Sequence, residues 1–355
     1  MIVTDATHLP RLMGCIGSRL LEAPKLPDNS DDTIRNEGNA FHWLAQQQYE
    51  NKTVEIGQQA NNGVFITAAM MDHSREYLSK LLPGGMEVTT SWESPHYIIN
   101  ARADHIGTKG GVLEITDGKY GYGLVEPDNN WTLIAHAIGY IKDTGFIPEI
   151  INFNIFQPRA YHPLGSWRTW SVHYEQLCGF TAQIDYKLTN PDNTLHTGTH
   201  CYKCPAMSVC PAYRMASMNA IDATSPAFTD ALNVDQLSAE LDLLEQAFNV
   251  ISNRKKAVEE LALFRVTSGE ILPGRIIDRP KGQTRYRKNM TPEMAMAITG
   301  RDLAERKMPT VSKLRDSGVA QIVIDAITER PEGSARLVKV DINKLAQKKL
   351  NTGVN

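Results

Sequence analysis

Three of the chain's five cysteines fall within ten residues, as CYKCPAMSVC over 201–210, and a fourth, Cys15, lies far upstream in LPRLMGCIGSRL. Thiols clustered this closely hold a metal more often than they pair with one another in a reducing compartment. Such a donor set takes structural zinc or an iron–sulfur cluster, and spacing does not choose between them. The plain alternative is a set of unrelated buried thiols. Cys178 stands alone on a predicted helix and reads as a small core residue.

A second group of residues suggests hydrolytic chemistry. In GVLEITDGK, 111–119, Asp117 and Lys119 are two apart in a β-like run and emerge on one face. Leu113 and Ile115 share that face, so the polar pair lies where a buried surface meets an opening. Asp104 ends the preceding β-like run. Two converging carboxylates repel each other, and a divalent cation relieves this; oxygen ligands favour magnesium or manganese. An ammonium beside that cation can orient an attacking water or neutralise charge on a phosphate. His42, on the preceding predicted helix, offers a nitrogen ligand. Taken singly, Asp-x-Lys is an ordinary exposed strand end and His42 an ordinary helix-face histidine. Their order along the chain makes them a candidate metal-dependent nuclease site.

The elements that must position these residues are legible in outline. Apolar spacing predicts helices over 36–50 and 63–82, then a meander of strands over 86–93, 96–106 and 111–119. A helix over 131–145 ended by glycine follows, then a strand over 150–158 and a helix over 173–190. The order is helix, three strands, helix, strand. The small, polar stretch 219–231 reads as a linker between a first domain, 1–218, and a C-terminal region, 232–355. That region opens with leucines at helical spacing over 234–264, one long helix or a hairpin of two, and continues without a clear pattern.

Composition sets outer bounds. At 355 residues, 42% hydrophobic and 22% charged, the chain is of ordinary globular type. No apolar run approaches the roughly twenty residues of a membrane helix, and the start lacks a signal-peptide pattern. The expected setting is a reducing cytoplasm without a membrane partner, where clustered thiols bind metal more often than they pair. A net charge of −3 excludes a uniformly basic surface but not a local patch. One such patch is GRIIDRPKGQTRYRKN, 274–289, where Arg285, Tyr286 and Arg287 alternate charge with an aromatic ring. It reads either as a solvated loop or as a nucleic-acid contact.

The motifs G-C-I-G-S around Cys15, E-G-N-A-F-H ending at His42, A-R-A-D-H-I around Asp104 and I-T-D-G-K-Y-G-Y-G around Lys119 occur in a fixed order with F-Q-P-R at 156–159 and H-C-Y-K-C-P-A-M-S-V-C at 200–210. In this the chain resembles the PD-(D/E)XK nucleases, in the RecB-like branch that includes CRISPR adaptation nucleases with an iron–sulfur cluster. Within that branch it is most similar to phage and prophage exonuclease-like proteins. The resemblance spans Cys15 to Cys210. It implies an α/β (α+β) fold with an αβββαβ core, an iron–sulfur staple and a C-terminal mixed α/β extension. It further implies that His42, Asp104, Asp117 and the carbonyl of Gly118 hold Mg2+ or Mn2+, with Lys119 serving the water. Cys15, Cys201, Cys204 and Cys210 would hold a [4Fe–4S] cluster, with zinc as the alternative, acting as a structural clip.

Gln157 and Arg159 would lie near DNA. The family's Gln-x-x-x-Tyr helix motif is replaced here by Thr132 and His136, with Tyr140 one turn later. The implied activity is 5′-to-3′ digestion of linear double-stranded DNA in a bacterial host cell, beside a single-strand annealing or single-strand-binding protein. An endonuclease or flap nuclease of the same fold and a DNA-binding scaffold with a weakened site are the competing readings.

Overall fold

Ile99, Ala101 and Ala103 alternate with exposed or half-buried neighbours along one strand, and in the computed structural model their buried faces join a single large core. The structure describes residues 1–21, 32–223, 233–278, 284–286, 292–300, 310–329 and 336–339. They form two compact units, Met1–Lys255 and Lys256–Asn355.

The first unit is built on a six-stranded mixed sheet: β1 (Ile2–Asp5), β2 (Gly84–Glu93), β3 (Tyr97–Lys109), β4 (Val112–Gly118), β5 (Ile150–Phe156) and β6 (Trp167–His173). The expected meander is present, with β3 antiparallel to both β2 and β4. Gly110 and Gly111, at φ 56° and 82°, make the two-residue β3–β4 turn, whose left-handed backbone is free of strain only for glycine. β4 and β5 are parallel, joined by the crossover helix α4 (Trp131–Thr144). Asn130 caps α4 by accepting from the amides of Thr132 and Leu133, and Gly145 ends it at φ 70°.

Helices cover both faces of the sheet. α1 (Leu9–Gly14), α4 and α5 (Tyr174–Thr189) pack with Leu113, Ile115, Ile151, Phe153 and Ile155. On the other face α2 (Asp32–Tyr49) and α3 (Ala68–Ser79) gather Phe41, Leu44, Met70, Met71 and Tyr77 around Phe156. The expected order of helix, three strands, helix and strand is thus realised by α2, β2–β4, α4 and β5.

The differences have local causes. The predicted helix 63–82 starts later because Thr67, extended, caps it by accepting from the Met70 amide, while Gln59 and Phe65 form a β-bridge. β1 was not anticipated; it is four residues long and parallel to β3. β6 was not anticipated either, because the inward position between Trp170 and the turn is occupied by Arg168, buried at 3%. α6 (Pro211–Ala223) runs through the start of the expected linker, and residues 224–231 of that linker lie outside the described residues. α7 (Val234–Thr267) is one helix of 34 residues, not a hairpin, and the two compact units divide within it.

In the second unit β7 (Arg275–Asp278) pairs with β10 (Arg336–Lys339), and β8 (Arg285–Tyr286) with β9 (Thr328–Glu329). Three short helices, α8 (Pro292–Thr299), α9 (Val311–Asp316) and α10 (Gln321–Ile327), accompany them, and Leu314, Ile324 and Ile327 form a small core. Among the described residues no helix is long and apolar enough to cross a membrane.

Candidate functional site

The β3–β4 ladder ends at the pair His105 and Thr116. One step further, where the strands part, the same register sets Asp104 opposite Asp117. Strand pairing therefore brings the carboxylates together where the backbone ladder has opened. Asp117 continues the face of the buried Leu113 and Ile115.

Each acid has its own partners. Asp104 Oδ2 accepts from the Gly118 amide at 2.8 Å and lies 3.6 Å from His42 Nδ1. Asp117 is paired with Lys119, whose Nζ is 2.8 Å from Oδ1 and 2.7 Å from Oδ2. The Lys119 amide donates to the Phe156 carbonyl at 2.8 Å, which fixes the lysine to the end of β5. Gly118 lets α2 approach: a Cβ there would stand 3.3 Å from the Phe41 ring and 3.5 Å from the His42 ring. Tyr120 stacks on Phe41 with centroids 4.7 Å apart and holds the same helix from the other side. His42, Asp104, Asp117 and Lys119 are thus brought together from three elements and the turn that follows β4.

The electrostatics follow from this crowding. Burial, reinforced by Asp117, raises the Asp104 carboxyl to about 6 against the pull of His42, Lys119 and the Gly118 amide. Asp117 is buried too, yet Lys119, by charge and hydrogen bond, holds its carboxyl below the ordinary range. Lys119 loses by burial but is raised overall by Asp117 and Asp104. A protonatable acid beside an ionised one is the signature of carboxylates sharing too little positive charge.

Glu87 is a site residue that the sequence reading missed. His42, Glu87 and Asp104 each offer a ligand atom, all within 4.8 Å of one another. Glu87 reaches this place through a distortion of β2. Met86 pairs with His105 and Val88 with Ala103, leaving Glu87 facing Asp104 with a left-handed φ of 52°. That conformation costs a non-glycine residue on the order of 1–3 kcal/mol. Its carboxylate meets Arg102 Nε at 3.0 Å. Beneath, Tyr77 is 1% exposed and its hydroxyl has no hydrogen-bond partner. Burial, then the charges of Asp104, Asp117 and Glu87, push that hydroxyl well above its usual range.

The residues expected to touch DNA are placed differently. Gln157 is fully buried: its Nε2 donates to the carbonyls of Gly121 and Gly123, and its Oε1 accepts from the Val125 amide and from Arg168. It cannot contact a strand; it pins the loop that follows Lys119. Arg159 is engaged by Glu37 and the Tyr122 hydroxyl, with its guanidinium 4.8 Å and 4.3 Å from the Tyr120 and Tyr122 ring centroids. It braces the same loop against α2. His136 is 4% exposed, its Nδ1 is unpartnered, and burial pushes it down to about 4 within the field of Asp117 and Lys119. Burial removes it from any DNA surface. Thr132 is half-buried in the first turn of α4, and Tyr140 packs against the core. Arg285 and Tyr286 form β8, and Arg287 lies outside the described residues.

The thiols are also gathered. Burial pushes the Cys201 thiol up against the Gly198 backbone, and Cys204, Cys210 and Cys15 push it further. Backbone amides of His196 and Tyr213 donate to the sulfurs of Cys15, at 3.3 Å, and Cys210, at 3.5 Å. The glycines beside Cys15 permit the approach: a Cβ on Gly17 would meet the Thr194 carbonyl oxygen at 2.4 Å, and one on Gly14 the His200 ring at 2.3 Å. Cys178 is exposed on α5, not a core residue, because the buried stripe of that helix runs through Leu177, Ile184 and Leu188.

Set beside known proteins, residues 6–343 match a family model described as "Protein of unknown function (DUF2800)". No curated protein matches the chain. Among solved structures, one designated SSO0001 is similar at 16% identity and a TM-score of 0.29, over 59% of this chain and 86% of that one. Another, from Eubacterium rectale and described as "Putative exonuclease", is similar at 13% identity and a TM-score of 0.28, over 60% of this chain and 81% of that one. Overlap this loose carries no argument about activity.

Proposed function

The chain belongs to the DUF2800 family, described as proteins of unknown function, and from that premise we propose, on the geometry of its site, a divalent-cation-dependent deoxyribonuclease of PD-(D/E)XK type. The observation that carries this reading is the meeting of His42, Asp104 and Asp117 with Lys119 where β3 and β4 part. The donor set fits a hard cation. One imidazole and two carboxylates suit Mg2+ or Mn2+, and the raised Asp104 acid marks a place short of positive charge.

Such a cation would polarise the phosphoryl oxygen and favour ionisation of an attacking water. The chain's own residues do the rest. Asp104 and Asp117 hold the site's negative charge, and the Gly118 carbonyl adds a backbone ligand. His42 supplies the nitrogen donor from α2. Lys119, fixed by its amide to β5 and by its ammonium to Asp117, orients the water and offsets charge on the phosphate. Gln157 and Arg159 hold the adjoining loop in place, while Thr132 and Tyr140 are the α4 positions left to meet the substrate.

The substrate in this reading is linear double-stranded DNA digested from its ends, 5′ to 3′, in recombination or genome processing of a phage or prophage within a bacterial cytoplasm. A single-strand annealing or single-strand-binding protein would receive the product. The basic run at Arg285, Tyr286 and Arg287 would guide the backbone. The thiols of Cys15, Cys201, Cys204 and Cys210 would hold a [4Fe–4S] cluster as a structural clip. The backbone N–H···S bonds to Cys15 and Cys210 support a metal-bound thiolate set.

The test incubates the purified protein with end-labelled linear DNA and closed circular DNA, with Mn2+ or with chelator. Digestion of the linear form alone, dependent on Mn2+, is expected. Nicking of circles moves the assignment to an endonuclease, and binding without hydrolysis to a scaffold. Iron and zinc contents measured on protein prepared without oxygen decide the cluster.

A further inference from the structure

We infer that Glu87 is a ligand of the cation, completing with His42 and Asp104 a three-element grip, and that Arg102 competes with the cation for it. This rests on the proposed metal site and adds to it a residue from β2.

Three independent observations converge on Glu87. The first is distance: donor atoms of His42, Glu87 and Asp104 come mutually within 4.8 Å, from α2, β2 and β3. A mixed imidazole and carboxylate set suits an octahedral ion, which has room for Asp117, a backbone carbonyl and water as well. The second is backbone shape. Ala101 and Ala103 face the large core, and so does Ile106, three residues on instead of two, so the alternation of β3 slips just where Glu87 stands opposite. The register is one-to-one on both sides of this point, so the cause is a kink without an inserted residue, and it turns a carboxylate toward the site at the expense of a left-handed φ. The third is Tyr77: a buried hydroxyl without an acceptor lies in the field of Glu87, Asp104 and Asp117. A filled site supplies what it lacks, through a carboxylate oxygen reoriented by the ion or an ion-bound water.

Without the cation, Glu87 is neutralised by Arg102, whose side chain is 72% exposed and free to swing into solvent. The guanidinium thus competes with the ion for the same carboxylate and would release it when the ion binds. If Glu87 served only to hold β2 through this pair, losing either partner would have the same effect. As a ligand and a competitor, the two have opposite effects.

Calorimetric titration of Mn2+ into the full chain, paired with the end-labelled DNA assay, separates the cases. Glu87→Gln is expected to weaken Mn2+ binding by at least roughly tenfold, and Arg102→Gln to tighten it several-fold. Arg102→Gln alters an exposed side chain, so it remains informative even if Glu87→Gln folds poorly. Wild-type affinity in a folded Glu87→Gln, or weakening in both variants, overturns the inference while leaving the nuclease reading intact. A wild-type protein that binds no Mn2+ and leaves DNA uncut sinks that reading itself.

Discussion

At the scale of single residues, the site is governed by Asp104 and Asp117, which share His42 and Lys119 unequally. Lys119 is committed to Asp117, so Asp104 takes the cost of burial and rises to about 6. A cation bound in the proposed site would have to displace the proton that Asp104 carries below that value. Mn2+ affinity is therefore expected to be level above about pH 7 and to fall roughly tenfold per unit below about pH 6. Titration at several pH values, with the proton uptake or release of each buffer recorded, checks it. Asp104→Asn should remove the slope with most of the affinity. Lys119→Ala has a different signature. Freed from its ammonium, Asp117 ionises less readily, yet metal binding survives while hydrolysis falls by several orders of magnitude. Single-turnover cleavage and Mn2+ titration on the same sample separate those effects, and intact turnover in Lys119→Ala refutes its role with the water.

At the scale of elements, the carboxylates meet because β3 and β4 pair only as far as His105 and Thr116 and then part. This was legible in the sequence: the Asp-x-Lys spacing, the glycine turn and the apolar Leu113 and Ile115 fix both register and face. Glu87 was not legible. Alternation along MEVTTSWE places it relative to Met86 and Val88, but a left-handed kink in mid-strand has no signature in residue type when the residue is glutamate. β6 was hidden for a related reason. Arg168 sits inward, its Nη2 donating to Gln157 and the Val125 carbonyl, and a basic residue at a core position breaks the hydrophobic alternation by which strands are recognised. Gln157 misled in the opposite sense, since a polar residue in a motif reads as a contact, although its four hydrogen bonds turn inward.

The helix-to-sheet spacing at Gly118 also belongs to this scale. Gly118→Ala removes no ligand side chain, but the added methyl presses on Phe41 and lifts α2, with His42, away from Asp104. Mn2+ affinity should fall roughly tenfold with little change in thermal midpoint. An affinity equal to wild type would mean that α2 does not set the His42 distance.

For the whole molecule, two devices act on the first unit's stability. In the proposed metal-bound state the thiols would tie the segment of Cys15 to that of Cys201–Cys210, closing a loop over most of the unit, and metal held only by the folded state would add its binding free energy to folding. Gly17 is where this clip is most exposed to mutation. A methyl there would drive into the Thr194 carbonyl, so Gly17→Ala should release metal and lower the melting temperature, the outcome also expected of Cys204→Ala, although it removes no thiol. The second device is acid sensitivity. His105 and His136 are each pushed down to about 4 by burial, and neither ring finds partners for all its nitrogens. Folded, they stay neutral where the unfolded chain already takes up protons. Stability is therefore full above the ordinary histidine range near pH 6.5 and is lost as pH falls from there towards 4, by roughly 3 kcal/mol for each ring. Asp104, raised to about 6, works in the opposite sense over the same range, gaining stability as pH falls through it, whereas Asp117, lowered, costs stability only below the ordinary carboxylate range. With divalent cations chelated, the urea midpoint should drop between pH 7 and pH 5. His105→Leu should reduce that drop by at least half, because it removes one of the two buried rings that must stay unprotonated, and chelation keeps metal binding at the adjacent Asp104 out of the measurement. An unaltered pH slope in His105→Leu would place the acid sensitivity elsewhere in the chain.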